Sequence, residues 1–141
     1  LVRFQADVHV KPSNGLTALF SCYDGELHDI ALYCIASYMR AEGWHTYYLG
    51  QSTPTDDLVR AVERIRPALV VMSAVIVEDE FSFLHDINDR LAPAAARSGA
   101  KLSIGGRQLM ARFGTSLKAD FISDSVLDYR RIADPRNYAH T

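Results

Sequence analysis

The chain has 141 residues, 48% of them hydrophobic and 23% charged, with a formal net charge of -2. That is one domain's length with room for one sizeable core, and the near-neutral balance excludes a nucleic-acid-coating surface, which needs a basic excess. No run of about 18 apolar residues is present to span a membrane, and no secretory signal is visible. Two cysteines, Cys22 and Cys34, are too few for a disulfide framework and suit a reducing, cytoplasmic compartment. The chain opens at Leu1 rather than at methionine, as a piece excised from a longer protein would.

Residues 1–15 carry no helical period. Val2/Phe4 and Val8/Val10 alternate weakly before Pro12-Ser13-Asn14-Gly15 punctuates the chain, which reads as a linker or an edge segment. Residues 16–22 are an apolar run of strand length. Ile30, Cys34, Ile35, Tyr38 and Met39 recur at helical spacing and predict a helix over 30–40, stopped by Gly43. A second strand over 46–49 ends at Gly50. Thr55 then reads as the cap of a helix whose inner stripe is Leu58, Val62 and Ile65, closed by Pro67. Residues 68–73 are the most apolar run and the third strand. Phe81, Leu84, Ile87 and Leu91 mark a long helix over 80–97, with Pro93 as a point of kinking. A fourth strand over 101–104 is broken by Gly105-Gly106, and a short helix over 107–113, a fifth strand over 119–122 and a helix from 124 follow. The tail over 134–141 is polar and expected to fray. Residues 16–133 are thus the folded domain.

Five strands alternating with five helices predict an α/β fold: a flavodoxin-like (Rossmann-like), doubly wound parallel sheet of order 2-1-3-4-5. Ligands of such sheets bind beyond the carboxyl ends of the strands, where the strand order reverses. The loops after strands one, three and four meet there, and each carries candidate chemistry.

After strand one comes Gly25-Glu26-Leu27-His28-Asp29. A carboxylate that accepts from Nδ1 of a histidine fixes its tautomer and leaves Nε2 free for a metal. On the competing structural reading, Glu26 and Asp29 only complement the dipole of the next helix, with His28 a surface residue. Cys22, His28 and Cys34 do not make a zinc site, because gaps of five residues are wider than the usual ligand pairs; both cysteines read as core. Ser73 ends strand three and offers one hydroxyl. Gly105-Gly106 removes two Cβ atoms where a ligand could approach, or simply makes a tight turn. Trp44, Tyr47 and Tyr48 read as helix–strand packing. Ser73-Ala74 stands where a phosphoacceptor receiver needs aspartate, and the acidic Tyr23-Asp24-Gly25-Glu26 loop would repel a flavin phosphate. No P-loop, dinucleotide fingerprint or nucleophile elbow occurs.

Together, Glu26-x-His28-x-x-Ala31, Ser73-Ala74-Val75 and Gly105-Gly106 resemble the cobalamin-binding domain family. Its pattern is Asp-x-His-x-x-Gly, Ser-x-Leu or a variant, and Gly-Gly after the same three strands. Glu26, the Tyr48-Leu49-Gly50-x-x-Thr53-Pro54 stretch and residues 69–75 most resemble the sensor branch attached to MerR-type transcriptional regulators, some light-responsive. The resemblance implies His28 as lower axial cobalt ligand, tuned by Glu26, with the displaced nucleotide tail running between strands one and three. Ser73 would hydrogen-bond the benzimidazole, and Gly105-Gly106 would let the tail pass. The implied contact set is Glu26, His28, Asp29, Ala31, Ser73, Val75, Gly105 and Gly106.

Ala31 stands where the family has glycine, and the added methyl costs about 1–3 kcal/mol if nothing moves. The resemblance further implies adenosylcobalamin or methylcobalamin, and an upstream helical cap and DNA-binding domain outside this chain. It implies neither catalysis nor nucleic-acid contact by this domain. His9 has no support as a ligand. A carrier module of a methyltransferase or mutase is the enzyme-class alternative. A degenerate domain binding haem, another ligand or a protein partner is the third, and a homo-oligomer is left open.

Overall fold

The computed structural model describes residues 10–138; residues 1–9, with the Val2/Phe4 alternation and His9, lie outside the described residues. The elements are β1 (Thr17–Cys22), α1 (Ile30–Ala41), β2 (His45–Gly50), α2 (Thr55–Ile65), β3 (Leu69–Ser73), α3 (Glu80–His85), a π-helical stretch (Asp86–Leu91), α4 (Ala92–Arg97), β4 (Lys101–Gly105), α5 (Leu109–Phe113), β5 (Phe121–Ser123) and α6 (Tyr129–Ile132). The sheet order is β2-β1-β3-β4-β5, and every pairing is parallel. The predicted architecture and strand order are those observed.

The sheet's alternation splits the core into two layers. Leu19, Val70, Met72, Leu102 and Ile104 face the side covered by α2, α3, α4 and α5. Ala18, Phe20, Leu69 and Val71 face the side covered by α1 and α6. β1 and β3 are buried almost throughout, so they read as unbroken apolar runs. The edge strand β2 leaves Tyr47 and Tyr48 partly exposed, contrary to their expected place in helix–strand packing. Among the described residues no helix is long and apolar enough to cross a membrane.

Helix existence was legible and helix rotation only in part: Ile35 and Met39, Leu58 and Val62, and Ile87 and Leu91 are buried as expected. In α1 the buried stripe is Leu32, Ile35, Ala36 and Met39, whereas Ile30 is 82% exposed and Cys34 lies on the outer surface. The true stripe is equally periodic but includes an alanine that apolar counting passes over. In the next long helix Phe83, Ile87 and Leu91 are buried, and Phe81 is exposed. That helix runs in three contiguous pieces, and its widened π turn ends just before Pro93, whose missing N–H and ring disfavour a regular turn there. Thr55 makes no cap hydrogen bond; Pro54 holds the cap position.

β5 sits later than predicted, and a 3-10 turn at Val126–Asp128 precedes the short α6. Ser125 caps that turn by accepting from the Leu127 amide. The tail is anchored as far as Tyr138, contrary to the expected fraying. Tyr138 is buried, donates its hydroxyl to the Ile132 carbonyl at 2.6 Å, and packs edge-on against Trp44. Trp44 in turn donates Nε1–H to the Ala133 carbonyl. Two aromatic rings burying about 150–250 Å² each outweigh the polar composition around them.

Candidate functional site

β1 carries the chain to the carboxyl edge of the sheet, where Gly25 turns it with φ +86°. Glu26 follows and folds inward, only 3% exposed. Its Oε1 accepts from Nδ1 of His28 at 2.6 Å and from the His28 amide at 2.9 Å. Its Oε2 accepts from the Val75 and Ile76 amides, both at 2.8 Å. Burial opposes its ionisation, but the bonds from Ile76, His28 and Val75 prevail and hold the carboxyl below its ordinary value. One buried carboxylate therefore joins the loop after β1 to the loop after β3 and fixes the His28 ring. The histidine side chain itself is 65% exposed. With Nδ1 committed to a carboxylate, the neutral ring carries its hydrogen there and keeps the Nε2 lone pair for an outside group.

His28, Ala31, Ser73, Val75, Gly105 and Gly106 line one cleft of about 440 Å³ between α1 and the ends of β3, β4 and β5. Six of the eight expected residues thus converge. Glu26 stands behind His28 rather than on the cleft wall. Asp29 turns away: its carboxylate accepts from Tyr48 Oη at 2.9 Å and lies 3.4 Å from Gln51 Nε2. Its place is a brace between the His28 loop and the end of β2, which Gln51 strengthens by donating to the Leu27 carbonyl.

The two glycines differ. A Cβ on Gly106 would lie inside the carbonyl oxygen of Ala74 and 3.0 Å from its carbon, whereas one on Gly105 would meet nothing nearer than 3.7 Å. Gly106 is thus demanded by the packing of the β3 loop itself, a requirement inside the protein.

The far wall of the cleft was missed from sequence. Leu32 and Ile35 of α1, Tyr129 of α6, and Ser123 and Val126 after β5 also line it. The order 2-1-3-4-5 sets β5 beside β4, so the loop after β5 belonged with the other three. A second cleft, of about 360 Å³, also reaches His28 and is lined by Tyr23, Asp24, Glu26, Glu78 and Asp79 among others. Tyr23 donates there to Asp86 at 2.6 Å, and burial first, then this bond, push its hydroxyl well above its ordinary value.

Cys22 is buried, as expected, and its thiol donates to the His28 carbonyl at 3.8 Å. Burial foremost, with Asp29 and Glu26 nearby, raises it to about 11, so it stays a thiol and a poor metal ligand. Cys34, expected in the core, is exposed. Among the described residues no cluster of three or more His, Cys, Asp or Glu is placed to hold a metal ion. A metal held at this edge would therefore have to bring most of its own ligands.

A family model described as the B12 binding domain matches residues 16–132. The chain belongs to that family. It is 24% identical to the trimethylamine corrinoid protein of Methanosarcina barkeri, over 79% of this chain and 51% of that one. It is 30% identical to the HTH-type transcriptional repressor CarA of Myxococcus xanthus, over 67% of this chain and 33% of the repressor. The chain spans about half the length of the corrinoid proteins it matches, and less of the repressor. Among solved structures, a cobalamin-binding protein from Desulfitobacterium hafniense DCB-2 superposes with a TM-score of 0.73 at 22% identity, covering 92% of this chain and 60% of that one. That likeness shows the fold. This B12-binding domain is a cofactor-holding module.

Proposed function

We propose that this B12-binding domain is a cobalamin sensor or regulatory domain, with His28 as the lower axial cobalt ligand and the nucleotide tail in the 440 Å³ cleft. One observation carries the reading. The Glu26–His28 pair sets a histidine at the strand ends with Nδ1 held at 2.6 Å and Nε2 left over, beside a largely apolar cleft of about 440 Å³. The residues fit the group: a corrin would bring its own nitrogen donors to cobalt, and His28, with Nδ1 held by Glu26, would hold the metal through Nε2. When bound, cobalamin supplies a cobalt centre whose upper face can carry an adenosyl or methyl group.

The chain's own residues then have distinct tasks. Glu26 orients His28 and raises its basicity. Ser73 hydrogen-bonds the lower base, Gly105 lets the tail pass, Gly106 keeps the β3 loop packed behind it, and Ala31 and Val75 flank the entering tail. Asp29 acts through Tyr48 and Gln51, holding the loop rather than touching the ligand. Glu26 and the CarA match support the regulatory branch, with an upstream helical cap and a DNA-binding domain as its partners. The two free cysteines support a reducing, cytoplasmic setting.

A carrier module in a methyltransferase is the second reading, supported by the corrinoid-protein relatives, which match over more of the chain than the repressor does. Loading with adenosylcobalamin and methylcobalamin, then gel filtration, tests the shared core: corrin absorbance should remain with the protein at micromolar concentration. Complete loss of that absorbance, or retention of haem instead, would overturn it. His28→Ala should keep a weakened corrin whose spectrum shifts to the base-off form, and an unshifted spectrum would remove His28 as the ligand. Light scattering separates the two readings. A loaded chain that changes its oligomeric state with the upper ligand is a sensor, and one that stays unchanged while exchanging methyl groups with a methyltransferase is a carrier.

A further inference from the structure

The cleft beside His28 is not uniform along its depth. Its inner wall is Leu32, Ile35, Val71 and Tyr129, all nearly inaccessible to water. Its charged residues, Arg107 and Asp124, are exposed at the rim. The inner hydroxyls are largely spoken for. Tyr129 Oη pairs with Ser103 Oγ at 2.6 Å, and Ser123 Oγ lies 2.8 Å from the Ser125 carbonyl and 2.9 Å from the Asp128 carboxylate. Ser125 Oγ accepts from the Leu127 amide, so among the described residues lining the cleft Ser73 is the one whose hydroxyl makes no hydrogen bond.

An apolar slot with one free hydroxyl accepts a flat aromatic group with one polar atom. It rejects a group of the same size that carries several, because each buried polar atom without a partner costs its full desolvation. Resting on the reading that the nucleotide tail enters this cleft, we infer that the domain selects among corrinoids by their lower base, taking benzimidazole-type bases and rejecting adenine. A displaced benzimidazole presents one ring nitrogen, which the Ser73 hydroxyl satisfies. Adenine adds an exocyclic amine and further ring nitrogens, for which Leu32, Ile35 and Val71 provide nothing. Arg107 and Asp124 are exposed rather than part of the buried wall; the arginine suits the phosphate, and the carboxylate, which would repel it, suits a ribose hydroxyl.

The test titrates the apo-protein, by corrin absorbance, with three ligands sharing one corrin ring: cobalamin, the adeninyl cobamide, and cobinamide, which has no base. Cobalamin should bind most tightly, with the adeninyl form at least about tenfold weaker, the size of one unsatisfied buried polar group. If the two bind alike and both exceed cobinamide, base selection is overturned while the tail remains in the cleft. If all three bind alike, the tail does not enter the cleft, and the reading beneath this inference falls with it. Val71→Thr adds a hydroxyl to the inner wall at nearly constant volume and should narrow the cobalamin-to-adeninyl gap at least threefold. A gap unchanged in that variant would remove the inner wall as the selecting surface.

Discussion

Replacing Glu26 with glutamine keeps the shape of the side chain but removes its charge and one of its two acceptor oxygens. In the native loop four N–H groups converge on that carboxylate, two on each oxygen. The amide must therefore turn its NH2 toward one pair. The Val75 and Ile76 amides are fixed backbone groups, whereas the His28 ring is 65% exposed and can adjust. The oxygen should thus stay with Val75 and Ile76, and the NH2 should face His28. The His28 amide then loses its partner, and the bonds from Val75 and Ile76 go from an ionised acceptor to a neutral one. A hydrogen bond to a charged group contributes about 1.5–3 kcal/mol, so the lost His28 amide bond alone costs about 2–3 kcal/mol, a lower bound on the whole. For a domain of this size that lowers Tm by about 6–12 °C.

The ring also responds, because a glutamine NH2 donates to Nδ1 only if the histidine hydrogen moves to Nε2. That is the wrong tautomer for a ligand, so Glu26→Gln should weaken cobalt ligation while leaving the ring in place. Acid unfolding supplies a further check. Glu26 sits below its ordinary value of 4.5 in the folded chain, so between the two values the unfolded chain holds more protons and stability rises with pH. The contribution is complete above about 4.5 and is lost as pH falls through the lowered folded value. The glutamine form should lack this part of the acid slope. Thermal melts of the apo-protein by circular dichroism at pH 7 and across pH 3–5 measure both effects. A Tm within about 1 °C of wild type, with an unchanged acid slope, would refute the claim that Glu26 staples the two loops.

Gly106→Ala should cost at least about 2 kcal/mol by denaturant titration, since its methyl collides with the Ala74 carbonyl. Gly105→Ala should cost under about 1 kcal/mol, and the reverse order would contradict the local packing. Ala31→Gly should tighten cobalamin at least several-fold in an absorbance titration, by removing a methyl from the cleft wall; equal affinities would mean the tail does not press there. Tyr138→Ala should lower Tm by about 10 °C or more, since a buried aromatic ring contributes about 3–5 kcal/mol. A tail that truly frayed would leave Tm unmoved.

The sheet order, the fold class and three of the four loops that line the cleft were legible in the sequence because each depends on local pattern. Apolar runs over 16–22 and 68–73 read by their length as strands, buried on both faces if central. Glu26, His28, Ser73 and Gly105-Gly106 stand at strand ends that chain topology brings to one edge. The sequence also held both partners of the Glu26–His28 bond two residues apart. Only the tertiary structure decided what else Glu26 does, because its other partners are the backbone amides of Val75 and Ile76, and a backbone amide leaves no trace in residue identity. The same holds for Gly106, whose need for a bare Cα comes from a carbonyl 32 positions away. Asp29 looked like a ligand-facing residue by its position but turns to Tyr48 and Gln51, since a side chain's direction depends on which neighbours the fold supplies. Periodicity found α1 and set Ile35 and Met39 inward, but it also set Ile30 and Cys34 there and passed over Leu32 and Ala36. Ile30 is exposed and Ala36 buried because burial is set by the sheet beneath the helix, which no local window contains.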